Sequence, residues 1–189
     1  MVCASTTRIG RFVLAGMGLV GGVALVLAGC STAPPRGVEP VTGFDLERYL
    51  GTWHEIARLD HRFERGLTEV TAEYSRRDDG GVRVINRGYD AAADRWKQAE
   101  GRAYFRGDED VGSLKVSFFG PFYGGYHIIA LDKADYQWAL VCGQSRRYLW
   151  ILARQSRLEP EVSGPLIEQA REAGFDVDAL IWLSAESRP

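Results

Sequence analysis

The chain has 189 residues, with 25 acidic and 23 basic side chains for a net charge of −2. That balance excludes the basic surface a nucleic-acid binder needs, and the length left after its leader fits one domain around one core. The three cysteines cannot staple that domain, because Cys3 falls in the leader, Cys30 at its end, and Cys142 is left alone.

Residues 1–29 read as an export signal. Arg8 and Arg11 precede an apolar, glycine-interrupted run over residues 12–27, and Leu27-Ala28-Gly29-Cys30 follows. The run is too short and glycine-rich for a permanent span, and the small residues suit cleavage. A plain transmembrane anchor is the alternative. Leu-Ala-Gly-Cys resembles the bacterial lipobox, in which the cysteine is acylated and the chain is cut before it. In the bacterial sorting pattern that this resembles, a residue other than aspartate in the next position, here Ser31, implies transfer to the outer membrane. Each buried methylene contributes about 0.8 kcal/mol, so two or three acyl chains on Cys30 would hold the protein permanently. Cleavage removes Arg8 and Arg11 but no acid, leaving the mature chain more acidic. Residues 30–43 hold Pro34, Pro35, Gly37 and Pro40, which predicts an extended lipidated tether. The folded domain is then residues 44–189.

A short helical turn is predicted over residues 45–50. Strands follow at 53–58, 70–76, 82–89, 96–105, 114–119, 126–131, 138–142 and 148–153, separated by turn residues such as Asp78-Asp79-Gly80-Gly81. Eight strands on short loops predict an all-β fold, an antiparallel up-and-down β-barrel. Leu166, Ile167, Ala170 and Ala173 recur at helical spacing between Pro165 and Gly174, predicting one C-terminal α-helix packed outside the barrel. Residues 180–183 return to strand character.

Alternation sorts the faces. Val70, Ala72 and Tyr74, then Val82, Val84 and Asn86, then Leu114, Val116 and Phe118 face inward. So do Tyr148, Trp150, Leu152 and Arg154, while Leu149, Ile151 and Ala153 lie under the helix. The sixth strand is left unassigned. Trp53 opens the first strand and Arg154 closes the eighth, so the two meet at one end, where a cation–π stack would close the barrel. The mouth is then built from residues 59–69, 90–95, 120–125 and 143–147. Ala57, Ala72 and Val84 are too small to fill the centre, which favours a cavity. The candidate pocket wall is Ala57, Ala72, Tyr74, Val84, Asn86, Val116, Phe118, Tyr148, Trp150 and Leu152. Arg58, Arg62 and Arg65 at the mouth are candidates for a phosphate or carboxylate headgroup, against the alternative of a solvated rim.

His54, His61 and His127 stand in no ligand spacing and read as surface histidines, so no metal is expected. Cys142 falls on the face away from the cavity and reads as a structural thiol. No nucleophile elbow, phosphate loop or carboxylate pair is present, and no enzyme activity is expected. Glu55 shares the face of Trp53, so it is either a polar anchor in the pocket or the ion-pair partner of Arg154 or another base near the closed end. Asp108-Glu109-Asp110 reads as a solvated hairpin tip.

Gly51-Thr52-Trp53-His54-Glu55-Ile56-Ala57 resembles the first motif of the lipocalin family, Asp135-Tyr136 stands where that family carries its second, and Arg154 is the arginine of its third. Residues 61–66, 115–126 and 139–143 are similar, more narrowly, to the outer-membrane lipocalins of bacteria. The resemblance runs from residue 44 to 183. It implies a lipid-anchored protein of the outer membrane, facing the periplasm, that stores or transports fatty acids or lysophospholipids for membrane maintenance. It allows a homodimer and implies no cofactor. A carrier of haem or a pigment, an enzyme acting on a pocket-bound lipid, and a scaffold with a filled core are the alternatives. Two departures stand out: His54 replaces the usual tyrosine, and the segment Lys133-Ala134-Asp135-Tyr136 is longer by one residue.

Overall fold

Short polar turns between alternating strands leave each strand its predecessor as the nearest backbone partner, and the chain pairs accordingly. A computed structural model describes residues 31–183; the leader and Cys30 lie outside the described residues. The elements are α1 (Leu46–Tyr49), β1 (Gly51–Arg58), β2 (Leu67–Arg76), β3 (Val82–Asp90), β4 (Arg95–Phe105), β5 (Ser113–Phe119), β6 (Phe122–Leu131), β7 (Trp138–Cys142), β8 (Leu149–Ala153), α2 (Pro160–Glu172) and β9 (Ile181–Trp182). Strands β2 to β8 pair antiparallel in chain order, and β1 joins both ends. Its first half pairs with β2 from Gly51↔Tyr74 to His54↔Thr71, and its second half with β8 from His54↔Ala153 to Arg58↔Trp150. The eight-stranded closed barrel with an external helix is therefore the observed fold.

Several strands outrun their predicted ends. β2 starts at Leu67 because Leu67 and Thr68 continue the ladder to Asp90 and Tyr89. β6 starts at Phe122, paired with Phe119. Backbone pairing continues through such positions whatever their side chains, so polarity and glycine there were poor guides. The helix starts at Pro160, with Pro165 inside it. Proline suits the first helical position, but here the earlier proline holds it.

Two apolar layers result. Trp53, Tyr74, Val84, Leu114, Val141 and Leu152 belong to an inner cluster. Ile56, Leu140, Cys142, Leu149, Ile151 and Ala153 pack outward with Leu166, Ala170 and Phe175. Both faces of β7 and β8 are thus covered, which explains their unbroken apolar runs. Bulges decide two assignments that alternation cannot. In β6 the register shifts between Ile128 and Ala130, so Ile128 and Leu131 face inward while Ile129 and Ala130 both face outward. In β1 it shifts between Glu55 and Ala57, which turns Ala57 out of the barrel and Arg58 into it.

The segment before the barrel is not a free tether. Val38 is buried in the outer layer, Val41 N donates to Ile128 O at 2.8 Å, Gly112 N donates to Val41 O at 2.9 Å, and Phe44 N donates to Asp110 O at 2.7 Å. Residues 31–44 form a strap along the β5–β6 wall. Beneath the strap His127 is fully buried, contrary to its reading as a surface residue. Its Nε2 lies 3.0 Å from Thr32 O and its Nδ1 3.1 Å from Ser113 Oγ. A carbonyl only accepts, so Nε2 carries the proton and Nδ1 accepts from Ser113. Ser113 Oγ in turn accepts from Arg106 Nη1 at 3.4 Å.

Candidate ligand cavity

The barrel is sealed at one end. The Arg154 guanidinium lies 4.0 Å from the centre of the Trp53 ring and donates to Tyr136 O, Thr52 O and Arg48 O at 3.2, 3.0 and 2.7 Å. Trp53 Nε1 donates to Tyr49 O at 2.8 Å, so the stack has no unpaired indole N–H. Gly51 enters this corner at φ +93° with Arg154 Nη1 3.4 Å from where a Cβ would stand, a backbone state that favours glycine. Phe44, Leu46 and Tyr49 close the floor from the inside.

Above them lies an open-mouthed cavity. Ala72, Tyr74, Val84, Asn86, Val116, Phe118, Trp150 and Leu152 line it. Two expected wall residues are elsewhere. Ala57 sits under the helix because of the β1 bulge. Tyr148 precedes β8 rather than opening it, so the strand's alternation does not reach it; its ring stacks on Trp150 at 6.2 Å and meets His61 at 5.9 Å. Several lining residues escaped the sequence reading. Tyr126 lies on the bulged strand whose faces could not be assigned, and Glu64 lies in a loop with no periodicity at all.

Apart from Thr71 and Asn86, the polar side chains of the wall fall into two groups. Near the floor, Tyr126 Oη lies 2.7 Å from Tyr49 Oη and 2.8 Å from Tyr74 Oη. Burial raises the pKa of all three phenols, so they remain neutral hydroxyls that satisfy one another. Under the mouth loop stands a buried ionic cluster. Arg58 is only 1% exposed, and its Nη1 donates to Glu55 Oε1 at 2.7 Å. Its Nη2 donates to Glu64 O and Leu67 O at 2.8 and 3.2 Å. His61, buried rather than on the surface, places Nε2 2.9 Å from Glu64 Oε2. Trp150 Nε1 donates to the same oxygen at 3.2 Å. Burial, then the nearby Glu64 charge, raises the Glu55 pKa against the pull of Arg58. For Glu64, burial works upward but the bond and charge of His61, with Trp150 and Arg58, bring the carboxyl below its ordinary range.

The three mouth arginines therefore separate. Arg58 is not on the rim; it is the interior counter-ion of Glu55, which in turn does not pair with Arg154. Arg65 is exposed and bound to Asp60 at 2.6 Å. Arg62 is exposed and lies 4.8 Å over the Phe63 ring. Inside the cluster, Arg58 Nε and His61 Nδ1 are buried with no hydrogen-bond partner among the described residues, and so, on the β3 wall opposite Ala72, is the cavity-lining Asn86 Oδ1. Cys142 faces the outer layer, and burial pushes its thiol up to about 12, which removes it from the cavity as a nucleophile.

A single-mouthed, closed antiparallel barrel lined with apolar side chains and a few polar groups defines the class of small β-barrels that enclose one ligand. The family model described as a lipocalin-like domain matches residues 44–185, and the chain belongs to the lipocalin family. It is 58% identical over 159 residues to the outer membrane lipoprotein Blc of Escherichia coli (strain K12), covering 84% of this chain and 89% of that one. It is 49% identical over 162 residues to the Blc of Vibrio cholerae, covering 86% and 94%. Among solved structures, insecticyanin of the tobacco hornworm Manduca sexta shares the fold with a TM-score of 0.65 at 24% identity, covering 85% and 93%.

Proposed function

We propose that this lipocalin is a lipoprotein of the bacterial outer membrane, acylated at Cys30 after removal of residues 1–29, whose cavity takes the acyl chain of a fatty acid or lysophospholipid for storage or transport. The observation that carries the reading is the cavity itself: an apolar shaft, open at one end, with the unmet Asn86 Oδ1 on its wall. An acyl chain matches the shaft, and burying it out of water contributes about 0.8 kcal/mol per methylene. A glycerol hydroxyl can donate to the unmet Asn86 Oδ1 on the cavity wall. Because the ionic groups that line the cavity are the carboxylates Glu55 and Glu64, and Arg58 behind them already serves Glu55, the interior offers little to a free carboxylate. This favours lysophospholipid over fatty acid, with the phosphate outside the shaft near Arg62.

The test is a titration of delipidated protein with lysophospholipid, fatty acid and haem, following the fluorescence of Trp150, with Trp150→Phe as the control. A saturable change with lysophospholipid, absent in the control, is the expected result. No saturable binding of any amphiphile would overturn the reading. Incorporation of labelled palmitate, lost in Cys30→Ala, checks the anchor.

A further inference from the structure

The strap fixes where the anchored end of the protein sits relative to the mouth. Thr32 O is held by His127 Nε2 at 3.0 Å, and Thr32 Oγ1 accepts from Arg106 Nε at 3.1 Å. Arg146, in the mouth loop after β7, donates to Arg36 O at 2.8 Å. A Cβ at Gly125 would stand 2.8 Å from Thr32 O, so the strap lies flat against β6 at that level. Thr32 is two residues from Cys30, a reach of about 7 Å at full extension. The described chain thus leaves the β5–β6 wall at Thr32, two residues after the proposed lipid site.

The same hairpin carries the most exposed large apolar side chains of the described residues. Phe119 and Phe122, at its mouth turn, are 70% and 75% exposed. Phe122 is three residues from Gly125, about 10 Å along the strand. Around the turn, Lys115 Nζ lies 5.3 Å over the Tyr123 ring, and the Arg102 guanidinium sits beside Gly120. The opposite turn of this wall, by contrast, carries Asp108, Glu109 and Asp110, all exposed. Aromatic rings flanked by basic side chains suit the boundary between headgroups and acyl chains, while three adjacent acids are repelled by anionic lipid.

We propose that the β5–β6 turn is a membrane-docking surface: Phe119 and Phe122 enter the headgroup region of an anionic phospholipid bilayer, with Lys115 and Arg102 against its phosphates. The inference deepens the anchored lipid-carrier reading and rests on it for the acyl anchor at Cys30. Docking there places one edge of the mouth at the lipid surface, with the acidic floor turn pointing away. A lipid then exchanges between bilayer and cavity without crossing open water.

The full chain, processed and acylated, is reconstituted into vesicles of phosphatidylethanolamine and phosphatidylglycerol. A nitroxide is placed at Gly120→Cys or, for comparison, at Glu109→Cys; buried Cys142 and acylated Cys30 leave each label unique. Oxygen should reach the Gly120 label more, and an aqueous nickel complex less, on vesicles than in solution, while the Glu109 label stays open to nickel. Adding Phe119→Ser and Phe122→Ser should return the Gly120 label to water although the acyl chains still hold the protein on vesicles. Equal nickel access at the two labels on vesicles would overturn the proposal. Unacylated protein beginning at Ser31, which lacks both leader and anchor, separates the two readings: it should still partition weakly onto phosphatidylglycerol vesicles, less so at high salt, and lose that partition with the two serines. If partition is the same with or without the phenylalanines, the docking surface fails whatever the fate of the anchor.

Discussion

At the scale of single residues, Arg58 shows how a one-residue bulge changes a role. Alternation from Trp53 would put Arg58 outside and Ala57 inside; the bulge after Glu55 reverses both. Arg58 then meets Glu55 in the interior, and removing one member of a buried pair leaves an uncompensated charge. Arg58→Ala should lower the unfolding free energy by about 3–5 kcal/mol, measured by urea denaturation, whereas Arg62→Ala on the exposed rim should change it by less than about 0.5 kcal/mol. Periodicity could reveal that a carboxylate enters the barrel at Glu55. It could not reveal the partner, because the partner's direction depends on the bulge and on backbone oxygens of Glu64 and Leu67 brought close by the loop.

At the scale of elements, the closed end depends on an arginine that joins three segments. Arg154 binds carbonyls of α1, β1 and the loop before β7 while covering Trp53. Lysine supplies the charge but not the planar fork. Arg154→Lys should therefore destabilise by about 2 kcal/mol, seen as a lower thermal midpoint, with ligand affinity unchanged because the residue lies under the floor. The strap depends on His127 in a different way. Burial, followed by the charge of Arg106, lowers its pKa to about 4. The unfolded chain takes up this proton near the ordinary value of about 6.5, so between those values the unfolded state binds more protons and stability rises with pH. The contribution is complete above about pH 6.5, is lost as pH falls to about 4, and is on the order of 3 kcal/mol. Replacing His127 with Gln, which keeps a donor and an acceptor, should flatten the stability profile across that window in denaturation measured from pH 4 to 7.

At the scale of the whole molecule, the proposed carrier role links the occupancy of the barrel to its stability. A ligand bound to the folded state alone, at a hundred times its dissociation constant, adds about 2.7 kcal/mol, so lysophospholipid should raise the melting temperature of delipidated protein. Ala72→Phe narrows the shaft from a half-buried wall position that lines the cavity. It should weaken binding by at least about tenfold, or about 1.4 kcal/mol, while leaving the unliganded melting temperature nearly unchanged. A loss of binding accompanied by unfolding would instead mark Ala72 as part of the packed core.

Read alone, the sequence determined the closed barrel, the sealed end at Trp53 and Arg154, most of the cavity wall and the outward face of Cys142. Those features follow from local alternation and from turns that leave each strand one neighbour. Only the tertiary structure decided the positions of Ala57, Tyr148 and Arg58, the faces of β6, the burial of His61 and His127, and the docking of residues 31–44 as a strap. Each depends on a register shift or on a contact between residues far apart in the chain, and neither leaves a periodic trace in the order of side chains.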